Sequence, residues 1–171
     1  MRGFVQVYTG DGKGKTTAAL GLALRAVGAG LKVFIAQFIK IGNYSEIKAL
    51  ERFQDLIRVE QFGLGRFVGG KPSPADIAAA RSGLKRVREV IASGGYQLVI
   101  LEEANVAVKY GLFSVQELLQ LIIEKPLDIE MVITGRGASP RILEAADLVT
   151  EMRMVKHYFE KGVRARVGIE K

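Results

Sequence analysis

Residues Gly10-Asp11-Gly12-Lys13-Gly14-Lys15-Thr16-Thr17 stand between an apolar run, Phe4 to Tyr8, and an alanine- and leucine-rich run that opens at Thr16. The first run reads as a strand. The second reads as a helix to Val27, with Leu20, Ala23, Leu24 and Val27 at helical spacing and Gly28 and Gly30 as its stop. Glycines at 10, 12 and 14 permit positive φ and let backbone amides point inward around an anion, while the helix adds the positive end of its dipole. In that arrangement Lys15 reaches phosphate oxygens and the Thr16 hydroxyl holds magnesium. The usual spacing puts the first glycine at position 9, where this chain has Thr9, so the loop is a variant with Lys13 inside it. A flexible turn with lysines in water is the competing reading. It is the weaker one because Gly-Lys-Thr-Thr falls where the helix must start.

Beyond the loop, strands and helices alternate. Lys32 to Ile39 is a continuous apolar run of the kind buried on both faces of a parallel sheet. Ser45 to Phe53 reads as a short amphipathic helix, Ile57 to Phe62 as a strand, and Gly63 to Ser73 as a glycine-rich loop. Ser73 caps a long helix from Pro74 to Ser93 that Gly94-Gly95 stops, with Ile77, Leu84, Val87 and Ile91 as its core stripe. Leu98 to Leu101 is the fourth strand and closes on Glu102-Glu103. Ser114 and Glu117 form a capping box for a helix through Ile123. Asp128 to Thr134, Pro140 to Ala146 and Leu148 to Met154 then read as strand, helix and a last core strand. This order predicts an α/β fold with a mainly parallel sheet, in one domain over residues 1–171, and a ligand at the carboxyl ends of the strands.

Composition narrows the chemistry. The 171 residues are 49% apolar, enough for one sizeable core. The absence of cysteine removes disulfides, thiolate nucleophiles and zinc–thiolate sites, and a single histidine removes a histidine-cluster metal centre. Met1-Arg2 leads straight into strand residues, and no apolar run is long enough for a membrane span, so a cytoplasmic protein is expected. The formal charge of +7 suits anionic small molecules such as ATP. Its basic residues are scattered, tightest at Lys85, Arg86 and Arg88, without interleaved aromatics, which argues against a nucleic-acid partner.

An apolar strand that ends in a carboxylate supplies the magnesium side of a nucleotide site, and such a strand is expected to lie beside the strand that carries the loop. Glu102 or Glu103 fills this role, and because side chains alternate along a strand both need not face the ion. The competing reading is a solvated acidic turn. Arg136, between two glycines after a strand, is a candidate anion contact. His157 reads as a polar anchor at an element end, with contact to substrate or a partner chain as the alternative.

Several segments together resemble the ATP:corrinoid adenosyltransferases of the type with a phosphate-binding loop, a group that includes cob(I)yrinic acid a,c-diamide adenosyltransferase. The resemblance rests on Gly10 to Thr17, Ala23-Leu24-Arg25-Ala26, Gln37-Phe38-Ile39-Lys40, Leu98 to Asn105, Thr134-Gly135-Arg136-Gly137, and Glu144 to Lys156 with His157, Phe159 and Gly162. These run collinearly from residue 3 to residue 170. It implies a three-layer P-loop NTPase fold of RecA-like type, paired as a homodimer. It also implies transfer of the 5′-deoxyadenosyl group of ATP to Co(I) of a corrinoid, with triphosphate leaving, in cobalamin biosynthesis or salvage. Cobalt reduction would come from an external reductant.

By the same resemblance Gly10, Asp11, Gly12, Lys13, Gly14, Lys15, Thr16 and Thr17 bind ATP with Arg25 and Arg136, and Thr16 with Glu103 or Glu102 holds Mg²⁺. Lys13 and Lys15 carry the charge of the leaving group. A corrinoid face is broad and apolar, so Phe62 and Phe67 are candidates for covering it and for displacing a lower axial ligand, with core packing as the alternative for both. Two other functions compete: a P-loop kinase or NTPase that cleaves the terminal phosphate, and a non-catalytic ATP- or nucleic-acid-binding module.

Overall fold

Alternate residues of the central strands feed two cores, one on each face of a single sheet. The computed structural model describes residues 2–65 and 71–170. Its strands are β1 (Val5–Thr9), β2 (Val33–Phe38), β3 (Ile57–Phe62), β4 (Leu98–Glu102), β5 (Glu130–Thr134) and β6 (Leu148–Glu151). All pairings are parallel, in the order β3-β2-β4-β5-β1-β6. Parallel neighbours need crossovers, and helices make them: α1 (Lys15–Gly28), α2 (Ser45–Leu50), α3 (Pro74–Ser93), α4 (Ala104–Lys109), α5 (Val115–Glu124) and α6 (Pro140–Ala145).

Ala19, Ala23 and Ala26 of α1 pack with Val33, Ile35, Ile100 and Val132 on one face. Phe34, Ala36, Phe38, Leu101 and Ile133 point the other way and meet α3, α4, α5 and α6. The result is the expected three-layer α/β architecture. Capping boxes at Ser73–Asp76 and Ser114–Glu117 start α3 and α5 as their sequences dictate. Residue Gly83 in the middle of α3 has a packing reason: a Cβ there would lie 2.7 Å from both the Phe38 and Phe62 rings, so only glycine lets the helix approach them.

Three expectations need correction. The last strand is an edge strand of four residues, all exposed, instead of a core strand to Met154, because it pairs on one side only, with β1. The strand that ends in Glu102 does not adjoin the loop strand, since β5 lies between β4 and β1. The segment after Glu102 is also more than an acidic turn: Glu103 adopts a left-handed φ of 60° and opens α4. These shifts matter for the site.

Candidate functional site

β1 ends at Thr9, and the chain turns through the glycine loop into α1. Positive φ at Gly10 (91°) and Gly14 (119°) makes that turn. Gly12 is required for a different reason: its N–H donates to Met152 O at 2.7 Å, and a Cβ on it would sit 2.7 Å from the same oxygen. The segment after β6 therefore braces the loop from outside. Inside it, the Lys15 ammonium donates to Gly10 O and Gly12 O, each at 2.7 Å, in a residue only 8% exposed. Burial, with Arg136 nearby, lowers the Lys15 pKa. A cation held at such a cost, at a helix start, suits an anion.

Thr16 leads to the carboxylate. Its hydroxyl donates to Glu102 Oε1 at 2.6 Å. The contact spans the strand between β4 and β1 because α1 lies across β4 and β5, packing on Ile100 and Val132. The same Glu102 oxygen accepts from the Lys40 ammonium at 2.8 Å. Lys40 is aimed there by Ile39, whose φ of 69° is a left-handed value costing a β-branched residue about 1–3 kcal/mol. Burial would lower the Lys40 pKa, but the charge and hydrogen bond of Glu102 outweigh it and raise it. Glu103 points elsewhere into the cleft; burial, reinforced by Glu102, pushes its pKa up.

Three buried polar atoms lack a hydrogen-bond partner among the described residues: Gln37 Nε2, Glu102 Oε2 and Asn105 Oδ1. All belong to residues at the carboxyl ends of β2 and β4 or the start of α4, beside a cleft of about 1050 Å³. Unpaired buried groups are rare in folded proteins, so their clustering marks this end of the sheet as the working end.

The cleft gathers Gly12, Lys13, Gly14, Lys15, Thr16, Thr17, Glu103 and Arg136 from the expected set. Lys13 is engaged by the end of the chain, donating to Ile169 O at 3.1 Å and Glu170 Oε1 at 3.3 Å. Gly10 and Glu102 lie just behind, joined to the lining by Lys15 and Thr16. Asp11 is exposed on the loop outside the lining. Arg25 occupies the last turn of α1, ten residues and so about 15 Å beyond Lys15, and is not in the lining either.

Phe62 takes the core alternative. Its ring lies 6.0 Å from that of Phe38 and against Gly83 of α3, outside the cleft, because β3 packs beneath that helix. Phe67 falls outside the described residues. His157 borders the cleft and accepts from Phe159 N–H through Nδ1 at 3.0 Å, which makes it the cap of a short turn over Tyr158–Lys161. Sequence reasoning gave no role to Lys40, Lys109 or Tyr110, all of which line the cleft. A lysine two residues after the buried strand β2 was the available signal for Lys40; Lys109 and Tyr110 depended on the unforeseen α4.

Comparison with known proteins fits this geometry. The family described as ATP:corrinoid adenosyltransferase BtuR/CobO/CobP matches residues 1–170. The chain belongs to this family. Corrinoid adenosyltransferases from Escherichia coli K12 and Pseudomonas aeruginosa are 40% and 38% identical to it, each over 99% of this chain and over 86% and 84% of their own lengths. The corrinoid adenosyltransferase CobA of Salmonella typhimurium is 37% identical over 99% of this chain and 86% of its own. Among solved structures, a KaiC-like protein of Pyrococcus horikoshii superposes with a TM-score of 0.61 at 18% identity, covering 88% of this chain and 73% of that one, which supports the RecA-like P-loop fold alone.

An adenosyltransferase of this family that takes up Mg²⁺ with ATP would need an oxygen-rich seat. The residues fit: Thr16 and Glu102 put hard oxygens side by side, and the buried Glu102 Oε2 is unpartnered. No cluster of three His, Cys, Asp or Glu occurs among the described residues, so such an ion would draw its other ligands from phosphate and water. No helix among the described residues is long and apolar enough to cross a membrane.

Proposed function

We propose that this chain transfers the 5′-deoxyadenosyl group of ATP to the Co(I) centre of a corrinoid, acting in the cytoplasm as a single P-loop domain that pairs into a homodimer. The observation that carries the reading is the Lys15 ammonium, held inside the glycine loop at the mouth of a cleft bordered by Lys13, Lys40, Lys109 and Arg136, in a chain that matches the family over residues 1–170. The Co(I) electron pair forms the Co–C5′ bond, the C5′–O bond breaks, and its electrons leave with the triphosphate. A corrinoid reduced by an external donor brings the nucleophile ready made, so no side chain has to remove a proton.

The protein's share is alignment of cobalt with C5′ and neutralisation of the leaving group. Loop amides from Gly10 to Thr17 and the ammoniums of Lys13 and Lys15 take the triphosphate, with Arg136 near Lys15. Thr16 and Glu102 would hold Mg²⁺, which when bound adds positive charge against the departing phosphates. Glu103 is the alternative carboxylate for that role. Phe67 remains the candidate for the corrinoid face.

One assay with ATP, Mg²⁺ and chemically reduced cobalamin tests the reading. Triphosphate and a light-sensitive alkylcobalt product are expected. ADP with phosphate would show attack on phosphorus and a kinase or NTPase instead, and no turnover would leave a binding module.

A further inference from the structure

Glu102 is 1% exposed, and a carboxylate so placed needs a cation beside it. Lys40 supplies one at 2.8 Å, on the oxygen that also accepts from Thr16. The chain is shaped to deliver it: Ile39 takes its left-handed φ, and Lys40 N–H turns back onto Phe38 O at 2.7 Å at the end of β2. Glu103 and Glu46 add their attraction, and the Tyr44 ring lies 5.9 Å from the ammonium. We infer that Lys40 is a tethered counter-ion that holds the divalent-cation seat shut on Glu102 and crosses to the triphosphate only when metal and nucleotide arrive together. This rests on the reading of Thr16 and Glu102 as the magnesium side of an ATP site.

The argument is one of space and charge. Magnesium binds oxygen at about 2.1 Å, so an ion on the Thr16 hydroxyl that also faces Glu102 would come within a few ångströms of the Lys40 ammonium. Like charges at that range repel strongly in a partly buried site. Thr16 can keep its proton on Glu102 and offer a lone pair to the metal, so Lys40 is the group that moves. Its side chain is 28% exposed and borders the same cleft as Lys15, which leaves it a path to the phosphates. Without nucleotide a metal ion must expel Lys40 with no anion to receive it. With nucleotide, both cations find partners.

Metal binding to the nucleotide-free protein tests this directly, with Mn²⁺ as the probe and the free ion counted by electron paramagnetic resonance. Lys40→Met should bind Mn²⁺ at least about tenfold more tightly than wild type, the worth of one charge-assisted contact removed. Lys40→Arg, which keeps the charge, should stay as weak as wild type. In EDTA the Lys40→Met protein should melt lower than wild type and recover with Mn²⁺, and the factor by which Mn²⁺ tightens ATP binding should shrink, because no lysine is left to cross to the phosphates. Lys40→Gln gives the same comparison if the methionine variant does not fold. Mn²⁺ affinity unchanged in the neutral variants, or an undiminished gain in ATP affinity on adding Mn²⁺, overturns the inference. If wild type forms the alkylcobalt product while Mn²⁺ binding ignores Lys40, this inference alone fails; if wild type forms none, the functional reading fails and the Mn²⁺ comparison still stands.

Discussion

Lys15→Ala separates binding from folding, and the contacts of its ammonium set the expectation for each. The ammonium now spends two hydrogen bonds of 2.7 Å on carbonyls of its own loop. When a triphosphate occupies the loop it exchanges these for phosphate oxygens, and a charged hydrogen bond is worth about 1.5–3 kcal/mol. Losing one such contact weakens ATP binding by about 10- to 150-fold. Charge on the leaving oxygen grows as C5′–O breaks, so turnover falls further, by about 10²- to 10³-fold, as for removal of one preorganised donor.

Stability should respond differently. Burial, with Arg136 nearby, already depresses the Lys15 pKa, so the alanine variant loses two bonds but also the cost of a desolvated charge. These oppose one another, and the nucleotide-free protein should melt within a few degrees of wild type. Calorimetric titration with Mg-ATP, triphosphate release and thermal melts read the three quantities. Turnover near the wild-type rate would refute the loop's part in catalysis. A collapse of the melting transition without ATP would show that Lys15 is a structural clamp instead.

Gly12→Ala places a Cβ 2.7 Å from Met152 O and 2.8 Å from the Arg153 carbonyl carbon, both backbone, so the brace from β6 must shift. A loss of about 1–3 kcal/mol in stability with weaker ATP binding is expected from melts and titration, and a wild-type melt would show that the brace yields freely. Phe62→Ala should cost about 2–4 kcal/mol because the ring packs on Phe38 and α3, while leaving the corrinoid KM unchanged; the opposite pattern would return Phe62 to the substrate. Arg86 pairs with Glu60 at 3.0 Å and ties α3 to β3. Although burial works the other way, the hydrogen bond and charge of Arg86 bring the Glu60 pKa below its ordinary 4.5. That stabilisation is present above pH 4.5 and fades as pH falls through the lower folded value, so the gap in melting temperature between wild type and Arg86→Gln should close in acid, and a gap independent of pH would refute the pairing.

Local rules wrote most of the fold into the sequence. Caps at Ser73 and Ser114, a glycine stop at Gly94 and continuous apolar strands act within a few residues, and they place α3, α5, β2 and β4 within a residue or two. The failures share a cause, dependence on distant partners. Leu148 to Glu151 has the composition of a core strand, and only the strand order makes it an edge. Phe62, where a strand meets the glycine-rich loop, is open to either a lid or a core role until Gly83, twenty-one positions later, makes room for it. Between Glu102 and Glu103 alternation could say that one faces Thr16, but the choice is set by the left-handed turn at Glu103, which no propensity at a glutamate announces.

That division between the two carboxylates also distinguishes attack on carbon from attack on phosphorus. A phosphoryl-transfer site must orient a hydroxyl or water, and Glu103 is the carboxylate placed to do so: it lines the cleft, and burial, reinforced by Glu102, raises its pKa. Glu102 is occupied by Thr16 and Lys40, Glu46 lies in the field of the Lys40 ammonium, and Glu170 is held by Lys13, Tyr158 and Arg166. If Glu103 were a base, Glu103→Gln would cost about 10²- to 10⁴-fold in turnover. In adenosyl transfer the nucleophile carries no proton, and the substitution removes a negative charge near the departing triphosphate. Turnover with prereduced cobalamin should then hold within about tenfold of wild type, while Glu102→Gln, which strips the Thr16 and Lys40 contacts of their anion, falls much further. Equal damage from both substitutions would mean that the two glutamates share the ion, and a loss confined to Glu103→Gln would return the site to phosphoryl chemistry.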